Sequence, residues 1–251
     1  MNRIEKLFSQ GKSYTAYLTA GDGGIQKTLD AALALIKGGV NMLEIGMPFS
    51  DPVADGPVIQ RAAARALHEG TSLQDVLWLA QEIRKQSDIP LILFSYLNPV
   101  LSALPSGFLQ KAKNAGIDGL LLVDCPLEES HEIRKLCEGQ DLAMIYVITS
   151  ATSLSRIQKI SQYAKGFLYY ACRKGTTGMK NALPADFSDK MQAIKSLVKI
   201  PVIVGFGIST QEMAQQVYDQ ADGVVVGSFF VKALEDGILP SSLTGLADSL
   251  L

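Results

Sequence analysis

Eight short apolar runs, each followed by a stretch with helical spacing, constrain this chain more than any other feature. The runs are Tyr14 to Ala20, Met42 to Met47, Leu91 to Ser95, Gly119 to Val123, Ala143 to Ile148, Gly166 to Tyr170, Pro201 to Gly205 and Gly223 to Val226. Between them, segments such as "IQKTLDAALALIKGG", "SLQDVLWLAQEIRKQ" and "TQEMAQQVYDQ" return apolar residues every three or four positions, and Gly38 and Gly39 mark a helix end. Strand then helix, repeated, is the pattern of a parallel sheet. Runs such as "LILF", "GLLLV", "VIVGF" and "GVVVG" lack a polar alternation, as expected of strands covered on both faces.

Eight strand–helix units of roughly thirty residues predict a single-domain (β/α)8 TIM barrel spanning residues 1–251, with an open doubly wound sheet as the alternative. At 251 residues with 47% hydrophobic content, the chain can bury one full core, and no linker or low-complexity tract divides it. The segment from about Asn2 to Gln10 precedes the first strand and is expected to be a helix covering the barrel bottom.

Several classes of function are set aside by composition. No apolar stretch approaches the roughly 20 residues of a membrane helix, and the N-terminus has no secretory signal pattern, so a cytoplasmic location is expected. Cys125, Cys137 and Cys172 are odd in number and contain no CxxC pair, which suggests neither a disulfide framework nor a zinc site. A net charge of −2 with scattered basic residues gives no nucleic-acid footprint. His68 and His131 both fall in helical segments, and no lysine ends a strand in the manner of a Schiff-base aldolase. Neither a GxSxG nor a Walker signature is present.

What remains is carboxylate chemistry at the mouth of the barrel, where the loops after the strands carry function. Glu44 lies inside the second run, where burial should raise its pKa and make it a proton donor and acceptor near neutral pH; a salt-bridged glutamate is the alternative. Asp55 follows in the stiff acidic loop "MPFSDPVADGP" (Met47 to Pro57), expected to be wetter and to stay ionised, so that the two acids divide the work. Asp51 is a weaker candidate, because Ser-Asp-Pro is also a turn signal.

Glycines and a serine close the last two strands, in "VGFGIST" and "VVVGSFF". Adjacent glycine-bearing helix starts in loops seven and eight suit a phosphate, with Gly205, Gly207, Gly227 and Ser228 as donors; tight strand-to-helix turns are the alternative. The loop "CRKGTTGMKNALPAD" after the sixth strand, with Gly175 and Gly178, is expected to be a mobile lid, with a flexible surface loop as the alternative.

The stretch "LEIGMPFSDPVADGPVIQRAAARAL" (Leu43 to Leu67) resembles the signature of the tryptophan synthase alpha subunit family, and "YLTAGD", "YLNP", "DCPLEES", "RKGTTG", "VGFGIS" and "GSFF" extend the likeness along nearly the whole chain. The resemblance implies a TIM barrel that cleaves indole-3-glycerol phosphate to indole and glyceraldehyde 3-phosphate. Such a subunit needs no cofactor of its own and passes indole to a pyridoxal-phosphate beta subunit in an alpha2-beta2 complex. Carried over by motif, Glu44 is the general acid/base and Asp55 the carboxylate that accepts the indole N–H. Thr177 is then the lid threonine that bonds this aspartate, and Tyr169 stands near the glyceryl chain. Gly178, Gly207, Gly227 and Ser228 become phosphate donors. The ring pocket would include Tyr17, Ile59, Phe94, Tyr96, Leu121 and Phe206, for which plain barrel core is the alternative.

The departures from the family pattern lie in mouth loops. "GDGG" stands for the usual Gly-Asp-Pro, "VDCP" for Pro-Asp-Leu-Pro and "CRKGTTG" for Ser-Arg-x-Gly-Val-Thr-Gly, and "ITSAT" (Ile148 to Thr152) lacks the usual proline. They raise a second reading, an alpha subunit whose own catalysis has weakened and which mainly binds and activates its beta partner. A sugar-phosphate isomerase on the same barrel is a third, opposed by the Leu43 to Leu67 match.

Overall fold

A computed structural model of the chain describes residues 2–172, 182–205 and 207–250. Eight parallel strands close into a barrel in chain order: β1 (Ser13–Thr19), β2 (Met42–Gly46), β3 (Leu91–Ser95), β4 (Gly119–Leu122), β5 (Ala143–Thr149), β6 (Leu168–Ala171), β7 (Val202–Gly205) and β8 (Gly223–Val226). The last strand pairs with the first, Ser13 beside Gly223 and Ala16 beside Val226, so the open doubly wound alternative falls. Every strand matches an apolar run, most within one residue. The clear shift is in β6, which begins at Leu168 because Gly166 takes a φ of 77° and turns the chain just before it.

Helices pack outside the strands. They are α1 (Arg3–Gln10), α2 (Ile25–Lys37), α3 (Pro57–His68), α4 (Leu73–Arg84), α5 (Leu97–Ala103), α6 (Phe108–Asn114), α7 (His131–Gly139), α8 (Leu154–Ser161), α9 (Phe187–Leu197), α10 (Gln211–Tyr218), α11 (Ser228–Glu235) and α12 (Leu243–Asp248). Sequence explains several of their ends. Asn2 and Glu5 form a capping box that starts α1, and Ser72 and Asp75 form another that starts α4. Pro57 opens α3, where its fixed φ suits a first turn and no backbone N–H is needed.

Two apolar layers hold the barrel. Outward residues such as Leu43, Ile45, Leu93 and Val204 pack against the helices, while Met42, Ile92, Ile145, Phe167 and Ile203 fill the interior. Ile4 of α1 is fully buried among the interior residues, and Phe8 lies 6.0 Å from Phe167 between ring centroids, so the N-terminal helix does cover the barrel. Burial of an Ile of this kind contributes about 1.5–3 kcal/mol. Beneath the strands, buried Asp118 accepts bonds from Arg3, Arg84 and the Leu91 N–H, each at 3.0 Å, fastening α1 and α4 to β3 and β4.

Candidate active site

The alternation along β2 decides where Glu44 points. Leu43 and Ile45 face the helices, Met42 faces the interior, and Glu44 is level with Ile92 of the interior set and with Tyr17 of β1. Glu44 is therefore a carboxyl group inside the barrel, with 1% of its surface exposed. Its Oε1 has no hydrogen-bond partner among the described residues, which removes the salt-bridged alternative there. Burial raises its pKa to about 8, so at neutral pH it holds its proton.

Two tyrosines flank it. Tyr17 and Tyr169 are both buried, and the phenol of each lies over a glycine at the end of the neighbouring strand. Burial raises both phenol pKa values well above the ordinary range; the charge of Asp55, then Glu44, adds to this at Tyr17, and that of Glu44, then Asp55, at Tyr169. The two acids and the two phenols thus share one electrostatic environment. Gly205 also makes room for the phenol: a β-carbon there would come 2.0 Å from the Tyr169 hydroxyl oxygen.

Asp55 lies in the loop between β2 and α3. Its N–H donates to the Pro52 carbonyl at 3.0 Å, and its carbonyl accepts from Gln60 Nε2 at 2.8 Å, which folds the loop back on the start of α3. The expectation of a wetter site is corrected: Asp55 is only 5% exposed. Burial raises its pKa to about 6, opposed by a hydrogen bond that Tyr96 Oη donates to Oδ2 at 3.0 Å. The physical reason is non-local, since Tyr96 follows β3 and covers a residue that looks solvated in sequence. Ionisation near neutral pH is still favoured. Asp51, by contrast, is exposed, and its side chain accepts from Ser50.

The remaining pocket residues divide. Ile59, Tyr17, Val231 and Ala62 form one small cluster beside Phe94, whose ring meets that of Tyr17 edge-on at 5.1 Å. Leu121 is fully buried in the interior set. Thr177, Gly178 and Phe206, with most of the loop expected to be a lid, lie outside the described residues.

At the ends of β7 and β8 the two helix starts differ. The Thr210 side chain accepts from the Met213 N–H and caps α10, and Gly207 contributes a turn with φ 88°. Helix α11 starts at Gly227 with no side-chain cap, so its first amides have no side-chain acceptor from the cap position, in the loop after β8.

Sequence reasoning missed two fasteners of the mouth. Asp22, buried in the loop after β1, accepts two bonds from Arg65 of α3 at 2.7 and 3.0 Å, and Arg65 also reaches Glu235 of α11. Gly23 in that loop has φ 72°, which a proline cannot adopt, so the "GDGG" departure is also a backbone departure. Asp124, in "VDCP", accepts from the Leu97 N–H at 2.7 Å and anchors the start of α5. An acid within three residues of a barrel strand's end was the available signal for both.

No group of three or more His, Cys, Asp or Glu side chains comes together to hold a metal ion among the described residues. No helix there is long and apolar enough to cross a membrane.

Comparison with known proteins agrees with this fold. The family described as tryptophan synthase alpha chain matches residues 5–244. The tryptophan synthase alpha chain of Coxiella burnetii is 51% identical over 250 residues, covering all of this chain and 97% of the relative. The crystal structure of tryptophan synthase subunit alpha from Legionella pneumophila superposes with a TM-score of 0.89 at 38% identity, covering all of this chain and 97% of that one. A Mycobacterium tuberculosis tryptophan synthase structure gives 0.91 at 28% identity, covering 99% and 96%. On this fold, this arrangement of acids and these relatives, the chain belongs to the tryptophan synthase alpha chain family.

Proposed function

We propose that Glu44 and Asp55 carry out the reaction of this family, the retro-aldol cleavage of indole-3-glycerol phosphate to indole and glyceraldehyde 3-phosphate. As a member of the family the chain is a carbon–carbon lyase of tryptophan biosynthesis. The observation that carries the assignment of roles is the burial of the Glu44 carboxyl inside the barrel, with its Oε1 unpartnered among the described residues.

Protonated Glu44 gives its proton to indole C3, leaving positive charge on the ring as an indoleninium. Asp55, ionised, accepts the ring N–H and stabilises that charge. The Glu44 carboxylate so formed takes the proton of the hydroxyl on the adjacent side-chain carbon. The bond from that carbon to C3 then breaks, its electron pair returns to the ring, and the aldehyde forms. One residue thus donates and recovers a proton, which a pKa near 8 permits in both directions. Tyr17, Ile59, Phe94, Tyr96 and Leu121, with Phe206, form the ring pocket; Tyr169 stands by the glyceryl chain and Thr177 meets Asp55 from the lid. Gly207, Gly227 and Ser228, with Gly178, hold the phosphate, favoured by the uncapped start of α11.

The partner in this reading is the tryptophan synthase beta subunit, in an alpha2-beta2 complex in the cytoplasm, with pyridoxal phosphate in the beta subunit only. The loop Met47 to Pro57, whose Val53 is 77% exposed, suits that contact. Nothing in the fold or the relatives favours the weakened subunit: both acids stand in an intact barrel. The test is indole release from indole-3-glycerol phosphate, with and without a beta subunit, by the natural chain and by Glu44→Gln. Equal turnover by the two would remove Glu44 from the mechanism.

A further inference from the structure

We propose that Tyr96 is the positioning residue for Asp55, clamping the loop after β2 so that the carboxylate is held toward the substrate ring. This rests on the reading of Asp55 as the group that stabilises charge on that ring.

A phenol has one proton to donate. The Ala54 N–H donates to Tyr96 Oη at 3.0 Å and occupies one of its lone pairs, while the phenol proton goes to Asp55 Oδ2, also at 3.0 Å. One side chain therefore grips two successive residues of the loop and sets the direction of the Asp55 carboxylate. The loop's own bonds are short-range, Val53 N–H to Asp51 carbonyl at 2.9 Å and Asp55 N–H to Pro52 carbonyl at 3.0 Å; they shape the turn, and Tyr96 reaches it from another strand.

The clamp is itself fixed. Tyr96 is 2% exposed, and its ring lies 5.1 Å from that of Phe49, another residue of the loop. On its backbone, Ser95 Oγ donates to the Tyr96 carbonyl at 3.0 Å, and the next residue's N–H donates to Asp124 Oδ1 at 2.7 Å. Loops after β2, β3 and β4 therefore meet at this one tyrosine. Chemically, the bond to Oδ2 favours the ionised carboxylate and opposes the effect of burial on Asp55. A residue that only lined the ring pocket would need the aromatic ring and not the hydroxyl.

The test compares Tyr96→Phe with the natural chain in indole release from indole-3-glycerol phosphate across the pH range, with folding checked by circular dichroism. The expected result is an acid limb of kcat/KM moved up by about one pH unit, the scale of one lost hydrogen bond to a charged group. Turnover should fall about 3- to 10-fold near pH 6 and recover toward pH 8, as Asp55 ionises without help. An unmoved acid limb with a raised KM would reduce Tyr96 to a wall of the pocket and overturn the clamp. A second arm places 3-fluorotyrosine at position 96, which keeps the shape and strengthens the donor. The acid limb should then move down, and no movement in this variant overturns the proposal even if Tyr96→Phe fails to fold. Asp55→Asn separates the two readings. Full activity in it defeats the role of Asp55, whereas an inactive Asp55→Asn beside an unshifted Tyr96→Phe defeats the clamp alone.

Discussion

Tyr17 excludes any side chain at Gly46: a β-carbon there would come 2.1 Å from the hydroxyl oxygen of Tyr17 and 2.5 Å from the ring carbon that carries it. The glycine two residues past Glu44 is what lets the phenol sit over the end of β2. Gly46→Ala should therefore destabilise the fold by about 1–3 kcal/mol through overpacking, and lower indole release as the tyrosine is displaced. Urea unfolding measures the first effect and an indole assay the second. Unchanged values in both would mean that the phenol moves freely.

The pH dependence of catalysis follows from two unequal acids. Asp55, with a pKa of about 6, must be ionised, and Glu44, with a pKa of about 8, must be protonated. A bell-shaped kcat/KM for indole release is expected, falling below about pH 6 and above about pH 8. A profile flat from pH 5 to 9 would contradict the division of roles.

Glu44→Gln should reduce turnover by about 10²-fold or more while the barrel stays folded. It should also change stability with a definite sign. The carboxyl is raised from 4.5 to about 8 on folding, so between those values the folded chain binds more protons than the unfolded one, and natural stability falls as pH rises through that window. The variant lacks this loss. At pH 9 it should be more stable than the natural chain by several kcal/mol, and at pH 4 the difference should vanish, as thermal unfolding at the two pH values would reveal.

Asp55→Asn keeps the shape and removes the charge. Turnover should drop about 10²-fold or more, with the loss in kcat exceeding that in KM, because the positive ring exists only after protonation. Steady-state kinetics give the split; a change confined to KM would make Asp55 a binding group only.

For the phosphate, Ser228→Ala should raise KM about 10-fold with kcat nearly unchanged, the scale of one hydrogen bond to a charged group. Kinetics with indole-3-glycerol phosphate, beside binding of inorganic phosphate as a competitor, would check it.

Much of the barrel was legible because each strand is a short unbroken apolar run, a signal that survives without knowledge of neighbours. Glu44 stood out for the same reason, as one acid in such a run. The errors have a common cause. Gly166 reads as strand by composition, yet its positive φ puts it in the turn before β6. Asp55 reads as solvated because its cover, Tyr96, is 41 residues away, and Asp124 lies 27 residues from the amide it holds. Nothing local to Gly205 shows that the Tyr169 phenol occupies the space a side chain there would need. Strand existence is written locally in this chain; who covers whom is settled by closure.

The pairing of Ser13 with Gly223 carries a consequence for how the chain is made. As the ribosome extends it, β1 emerges first and its outer edge has no neighbour until β8 appears roughly 200 residues later, about 10–40 s at ordinary synthesis rates. During that interval a strand with every residue destined for burial presents an unpaired edge, the kind of surface that invites association between nascent chains.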